Sequence, residues 1–141
     1  MIKLVKSTFY KEKETKRKLV AFISRAAVLS FGPECEHFEK KFAIWQGRKY
    51  CIFLNSGSSA NLAIIQALLN LGKLKHGDAV GFSSLTWSTN AMPIIELGLR
   101  AVPIDINRET LNVSSKNLLA AISRHNIKML FLTNAFPTKK F

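Results

Sequence analysis

Hydrophobic and polar positions follow a helical period over the first part of the chain. Apolar residues recur at three- and four-residue spacing over 12–29, with lysine and arginine between them. This pattern predicts a helix that ends at the breaking segment 30–33, which contains Gly32 and Pro33. A second amphipathic pattern over 34–45 predicts another helix, with Gly47 just beyond its end.

Short apolar segments then alternate with helical ones. We expect strands over residues 50–54, 79–83, 101–105 and 128–133. We expect helices over residues 60–71, 88–97 and 115–124. Apolar strands alternating with helices are typical of an α/β fold, in which helices cover both faces of a parallel sheet.

The same patterns predict which segments are buried and where the chain divides. The helix over 60–71 is apolar nearly all round, which indicates burial. Cys51 is expected to be a buried small hydrophobe. In the helix over 115–124, Leu118, Leu119 and Ile122 are predicted to face inward. We expect a helical segment over 1–48 and an α/β domain over 49–141.

The loop between the first predicted strand and the buried helix is a candidate anion site. It has the sequence Asn-Ser-Gly-Ser-Ser-Ala-Asn over residues 55–61. Free backbone N–H groups and the helix dipole favour a phosphate at such a place, and the Ser58 and Ser59 hydroxyls can add donors. Capping of the helix without any ligand accounts for the loop equally well. The segment is neither a Walker A motif nor a Gly-x-Gly-x-x-Gly fingerprint.

A second polar loop, over 84–90, follows the next predicted strand. The carboxyl ends of parallel strands share one edge of a sheet, so both loops are expected there. Trp87 is placed to stack on a planar ligand, although packing in the core is the alternative for an isolated tryptophan.

Composition narrows the classes of function. The 141 residues carry a net charge of +12, but the basic residues are scattered and show no face of interleaved basic and aromatic residues. Nucleic-acid binding is therefore the weaker alternative. No apolar run approaches the length of a membrane span, and no signal peptide is recognisable. Cys35 and Cys51 lack the spacing of a zinc site, so no metal is expected. We expect a cytoplasmic protein.

Taken in order, the motifs from about Leu29 to Thr133 resemble the DegT/DnrJ/EryC1/StrS family of sugar aminotransferases. The matching segments are 32–33, 38–42, 55–62, 77–78, 85–89, 93–98 and 105–112. The resemblance implies the large domain of a pyridoxal-phosphate (PLP) transferase, a three-layer sandwich around a parallel sheet, here incomplete and preceded by two helices. It also implies that Ser58 and Ser59 hold the cofactor phosphate and that Trp87 stacks on the pyridine ring.

The resemblance further implies a reaction and partners. Family members move an amino group from an amino acid, typically glutamate, onto a nucleotide-linked keto-sugar for polysaccharide or surface-sugar synthesis. A few relatives are dehydratases that keep the cofactor but not its lysine. The sites lie at a dimer interface, so a homodimer, or association with a carboxyl-terminal half, is expected.

The match covers only the amino-terminal part of the family pattern. The acidic residue that pairs with the pyridine nitrogen, and the lysine that binds the cofactor, lie further along in the family, so no catalytic residue is assigned here. The end of the chain departs from the pattern, and Lys139 and Lys140 do not match that lysine. We therefore expect a truncated chain that is inactive alone, or the non-catalytic half of a split or heteromeric enzyme.

Overall fold

The computed structural model describes residues 9–134. Lys139 and Lys140, together with the rest of the segment 135–141, lie outside the described residues. The helices are α1 (Glu12–Arg25), α2 (Pro33–Trp45), α3 (Gly57–Asn70), α4 (Ser88–Glu96) and α5 (Ser115–His125). The strands are β1 (Ala79–Ser83), β2 (Arg100–Ile104) and β3 (Ile127–Phe131).

The chain divides into two compact units, Met1–Phe53 and Leu54–Phe141. In the first unit, Ala26 adopts an extended backbone and ends α1, so the predicted helix over 12–29 is four residues too long. Helix α2 begins at Pro33, one residue before the predicted start, with Gly32 as its N-cap, because proline at the first helical position has the right φ and needs no hydrogen-bond donor. The predicted division at residue 48 stays a prediction.

The expected first strand does not form within the described chain. Residues 50–54 have no ladder partner there, and Ile52 is 79% exposed. The backbone N–H of Phe53 donates instead to the Glu39 carboxylate at 2.7 Å. An apolar run becomes a strand only where another strand pairs with it, and none does here. Cys51 is half-buried rather than buried for the same reason.

The second unit is an α/β structure around a parallel sheet, as predicted. Its strand order is β2-β1-β3, and both pairings of β1 are parallel. The crossover from β1 to β2 and the crossover from β2 to β3 run in opposite directions along the sheet. Because such crossovers are right-handed, α4 and α5 lie on opposite faces, which gives three layers.

The buried core of the second unit lies between the sheet and helices α3 and α4. Ile65, Leu74, Val80, Ile94 and Leu99 form one apolar cluster joining α3, β1 and α4. The prediction that α3 is buried all round is wrong, since Ile65 is its one buried residue and Ile64 is 50% exposed. An apolar surface is buried only where a partner covers it.

The predicted inward face of α5 is confirmed only in part. Leu118 is half-buried, whereas Leu119 is 67% and Ile122 37% exposed. The helix contacts β1, β2 and β3, and Leu119 points away from them into solvent. Leu119 therefore belongs to the uncovered side.

Candidate functional site

The site begins at the first turn of α3. Ser56 caps this helix: its hydroxyl accepts a hydrogen bond from the backbone N–H of Ser59 at 3.1 Å. The Ser56 hydroxyl also donates to the Ser59 hydroxyl at 3.1 Å. The loop therefore does cap the helix, and the capping residue is Ser56. Helix α3 begins at Gly57, three residues before the predicted start, because this cap sits earlier than the apolar pattern.

Capping leaves several donors of the first turn available. The backbone N–H groups of Gly57 and Ser58 bond to no group among residues 9–134. The Ser58 hydroxyl likewise has no partner there and is exposed. The Ser59 hydroxyl accepts from Ser56, so its own proton remains free to be donated. These donors at the positive end of a helix suit an anionic group.

The space beside these donors is open. A Cβ added to Gly57 would meet no atom within 4 Å. Together, the open approach and the donor set fit a phosphate, which carries several acceptor oxygens. No lysine or arginine joins this first turn, so the donors are backbone N–H groups and hydroxyls.

Trp87 lies at the start of α4, just beyond the carboxyl end of β1. It occupies the N-cap position, and its side chain is 72% exposed. The alternative that Trp87 packs in the core of the second unit is therefore wrong. An exposed indole at the edge of a sheet offers a flat apolar face to a ligand.

A network of polar side chains fixes the loop on either side of Trp87. The Thr86 and Thr133 hydroxyls lie 2.6 Å apart, and Asn90 Nδ2 donates to both, at 2.7 and 3.0 Å. The Ser83 hydroxyl, fully buried, accepts from the backbone N–H of Thr133 at 2.9 Å. These bonds tie the end of β1, the start of α4 and the segment after β3 into one polar edge.

Asn61 connects the first turns of α3 and α4. Its Nδ2 donates to Asn90 Oδ1 at 2.7 Å and to the carbonyl oxygen of Thr89 at 3.3 Å. The helix starts that carry Ser58, Ser59 and Trp87 are therefore neighbours at the carboxyl edge of the sheet. The two helix starts meet as expected, although the first of the two strands on which that expectation rested does not form in the described chain.

Sequence reasoning missed the residues that join these loops. Asn61, Asn90 and Thr133 were not singled out for a positioning role. Their signal was available in part, because each is polar and lies at a strand end or helix start in a chain with few such clusters. The pairing of Thr133 with Asn90 spans 43 positions and required the topology.

Other candidate chemistries find no support in the described part of the chain. No group of three or more His, Cys, Asp or Glu side chains that could hold a metal occurs there. Cys35 and Cys51 are free thiols. Within residues 9–134, no helix is both long and apolar enough to cross a bilayer.

Comparison with known proteins identifies the family. Residues 10–135 match the model of the DegT/DnrJ/EryC1/StrS aminotransferase family, and the chain belongs to that family. This confirms the resemblance stated from the sequence motifs.

Individual relatives differ in the reaction that their names describe. The chain is 37% identical over 98 residues to a GDP-4-keto-6-deoxy-D-mannose 3-dehydratase of Yersinia pseudotuberculosis, covering 68% of this chain and 25% of that protein. It is 36% identical over 92 residues to a UDP-2-acetamido-2-deoxy-3-oxo-D-glucuronate aminotransferase of Pseudomonas aeruginosa, covering 65% of this chain and 24% of that protein. The chain thus spans about a quarter of the length of these relatives.

A solved structure shows the same fold. The Escherichia coli GDP-4-keto-6-deoxy-D-mannose-3-dehydratase with bound hydrated PLP superposes with a TM-score of 0.71 at 31% identity. The match covers 86% of this chain and 31% of that one. The parallel sheet and helices described above are therefore those of a PLP-dependent transferase fold.

Proposed function

We propose that this chain forms the cofactor-holding part of a PLP-dependent enzyme that modifies nucleotide-linked sugars. The observation that carries the proposal is the open first turn of α3, where unpaired backbone N–H groups and the Ser58 and Ser59 hydroxyls stand beside the Trp87 loop. Family membership and a solved relative with bound PLP support the choice of that ligand.

Each residue has a separate task in this proposal. The Gly57 and Ser58 backbone N–H groups and the Ser58 and Ser59 hydroxyls would hold the phosphate group. Trp87 would offer its indole to the pyridine ring and exclude water from that side. When bound, the cofactor supplies the electron-withdrawing ring that makes chemistry at an amino-bearing carbon feasible. The chain's own contribution is binding and orientation, since no lysine takes part in the hydrogen-bonded edge among residues 54–134.

We propose amino transfer from an amino acid, with glutamate as donor, to a nucleotide-linked keto-sugar as the reaction. The aminotransferase of Pseudomonas aeruginosa supports this choice. Removal of the sugar 3-hydroxyl is the second candidate, which the Yersinia pseudotuberculosis relative favours. We also propose that this chain associates with a second copy of itself or with a carboxyl-terminal half, and that only the carboxyl-terminal half completes the site.

Turnover tests the reaction and the need for a second subunit together. The 141-residue chain is incubated with PLP, glutamate and a nucleotide-linked keto-sugar, alone and then with a carboxyl-terminal fragment of a relative. We expect no product from the chain alone and an amino-sugar on mixing. A deoxy-sugar product on mixing would select the dehydratase reaction. Turnover by the chain alone would contradict the proposed division of tasks.

A further inference from the structure

Pro93 leaves a gap in the hydrogen bonding of α4. It lies inside this helix and is buried. Proline has no backbone N–H, so the carbonyl oxygen four residues earlier, that of Thr89, lacks its ordinary helical donor. Such an acceptor in the first turn of a helix is satisfied by another group or by water.

Asn61 of the neighbouring helix supplies a donor to that carbonyl. Its side-chain Nδ2 donates to Thr89 O at 3.3 Å and to Asn90 Oδ1 at 2.7 Å. The Asn90 amide is fixed in turn by Thr86 and Thr133. The partners in these hydrogen bonds are Thr86, Thr89 and Asn90, which lie within three residues of Trp87, and Thr133, which follows β3.

We propose that Asn61 is a positioning residue, which sets Trp87 relative to Ser58 and Ser59 by substituting for the N–H that Pro93 lacks. Asn61 lies two and three positions from these serines on α3, and its amide holds the first turn of α4. The binding consequence rests on the proposed function, whereas the positioning of Trp87 does not. The role belongs to the amide of Asn61 and requires a proline at position 93.

The test separates these two parts. Trp45→Phe leaves Trp87 as the one tryptophan, because the chain has two. In that background, fluorescence anisotropy reports the local motion of Trp87, and titration with pyridoxamine 5′-phosphate reports binding. This probe has no aldehyde and cannot react with surface lysines. Asn61→Ala is compared with Asn70→Ala, which alters the far end of the same helix, where the one side-chain partner of Asn70 among residues 9–134 is Gln66.

We expect Asn61→Ala to lower the anisotropy of Trp87 and to weaken binding by about five- to tenfold, while Asn70→Ala changes neither. Asn61→Asp keeps the volume but loses the donors, and its Trp87 anisotropy provides the same comparison if the alanine variant does not fold. Unchanged Trp87 anisotropy in a folded Asn61 variant would overturn the proposal. Absence of binding by the chain with Asn61 intact would refute the proposed function, and the anisotropy would still decide the positioning role.

Pro93→Ala tests the substitution directly. Alanine restores an N–H that can reach Thr89 O. The Asn61 amide should therefore contribute less to the stability of the fold. We expect Asn61→Ala to shift the unfolding equilibrium about fivefold less in the Pro93→Ala background than in the chain that keeps Pro93. Equal shifts in both backgrounds would show that Asn61 does not substitute for the missing donor.

Discussion

Asn90 Nδ2 lies 3.0 Å from the hydroxyl of Thr133, which links the first turn of α4 to the residue two positions beyond β3. The same hydroxyl meets Thr86 at 2.6 Å. Thr133 therefore holds both sides of the Trp87 loop, and the edge strand β3 contributes to the site through the segment that follows it.

Thr133→Val should loosen this edge without changing its shape. Valine keeps the volume of threonine but removes the hydroxyl, so Asn90 and Thr86 each lose a partner. We expect the free energy of unfolding to fall by about 1–3 kcal/mol, because two hydrogen bonds of about 0.5–1.5 kcal/mol each are lost, while Asn90 and Thr86 keep their bond to each other. Thr89→Val, an equivalent change at an exposed position of α4, is the control in urea denaturation. Equal losses in both variants would argue against the network.

Trp87→Ala should reduce binding and leave stability nearly unchanged. The indole is 72% exposed, so its removal creates no cavity, and we expect a change in unfolding free energy within about 0.5 kcal/mol. A tryptophan packed in a core would cost about 3–5 kcal/mol. Pyridoxamine 5′-phosphate affinity should fall, and Trp87→Phe should restore part of it. A large loss of stability would mean that Trp87 serves the core.

Gly81→Ala should strongly destabilise the second unit. A Cβ at this position of β1 would lie 2.8 Å from Ile104, 2.9 Å from Ile127 and 3.0 Å from Leu130 side-chain carbons. All three neighbours belong to flanking strands, so we expect a loss of about 1–3 kcal/mol from overpacking. Gly57→Ala is the control, because nothing lies within 4 Å there. Thermal unfolding that ranks the two variants equally would contradict the close packing.

The chain alone should associate as its concentration rises. Strand β3 has one paired edge in the described sheet, and Leu119 lies 67% exposed on α5. Unpaired strand edges and apolar patches favour contact between copies. Sedimentation velocity should show growing species, and Leu119→Lys should reduce them. A monodisperse monomer at all concentrations would show that these surfaces are not adhesive.

The sequence predicts the helices and strands of the second unit well, but it wrongly predicts a strand over residues 50–54. The strand at 79–83 was placed without error because it is apolar, short and bounded by turn residues. Residues 50–54 show the same apolar pattern but have no partner strand in the described chain. The hydrophobic pattern of the sequence shows which side chains are apolar, but it does not show which other element covers them. Leu119 and Ile64 were misjudged for the same reason.

The candidate site was predictable where one loop carries the chemistry. The position of their loops after apolar segments marks Ser58, Ser59 and Trp87 as candidates, and the family resemblance supplies their expected roles. Asn61, Asn90 and Thr133 could not be assembled in the same way, because their contacts cross 29 and 43 positions and depend on the strand order β2-β1-β3.

The central claim, that Ser58 and Ser59 hold a cofactor phosphate beside Trp87, is tested most directly by comparing two ligands. The Trp45→Phe chain is titrated with pyridoxamine 5′-phosphate and with pyridoxamine, which lacks the phosphate, while the fluorescence of Trp87 is followed. Hydrogen bonds to a charged group contribute about 1.5–3 kcal/mol each, so the phosphate should tighten binding by about tenfold or more. The Ser58→Ala/Ser59→Ala variant should lose the part of that difference that the two hydroxyls supply, because the backbone N–H groups of Gly57 and Ser58 remain, whereas Ser123→Ala, at an exposed position of α5, should keep all of it. Equal affinities for the two ligands, or a phosphate preference that is undiminished in the double variant, would contradict the account.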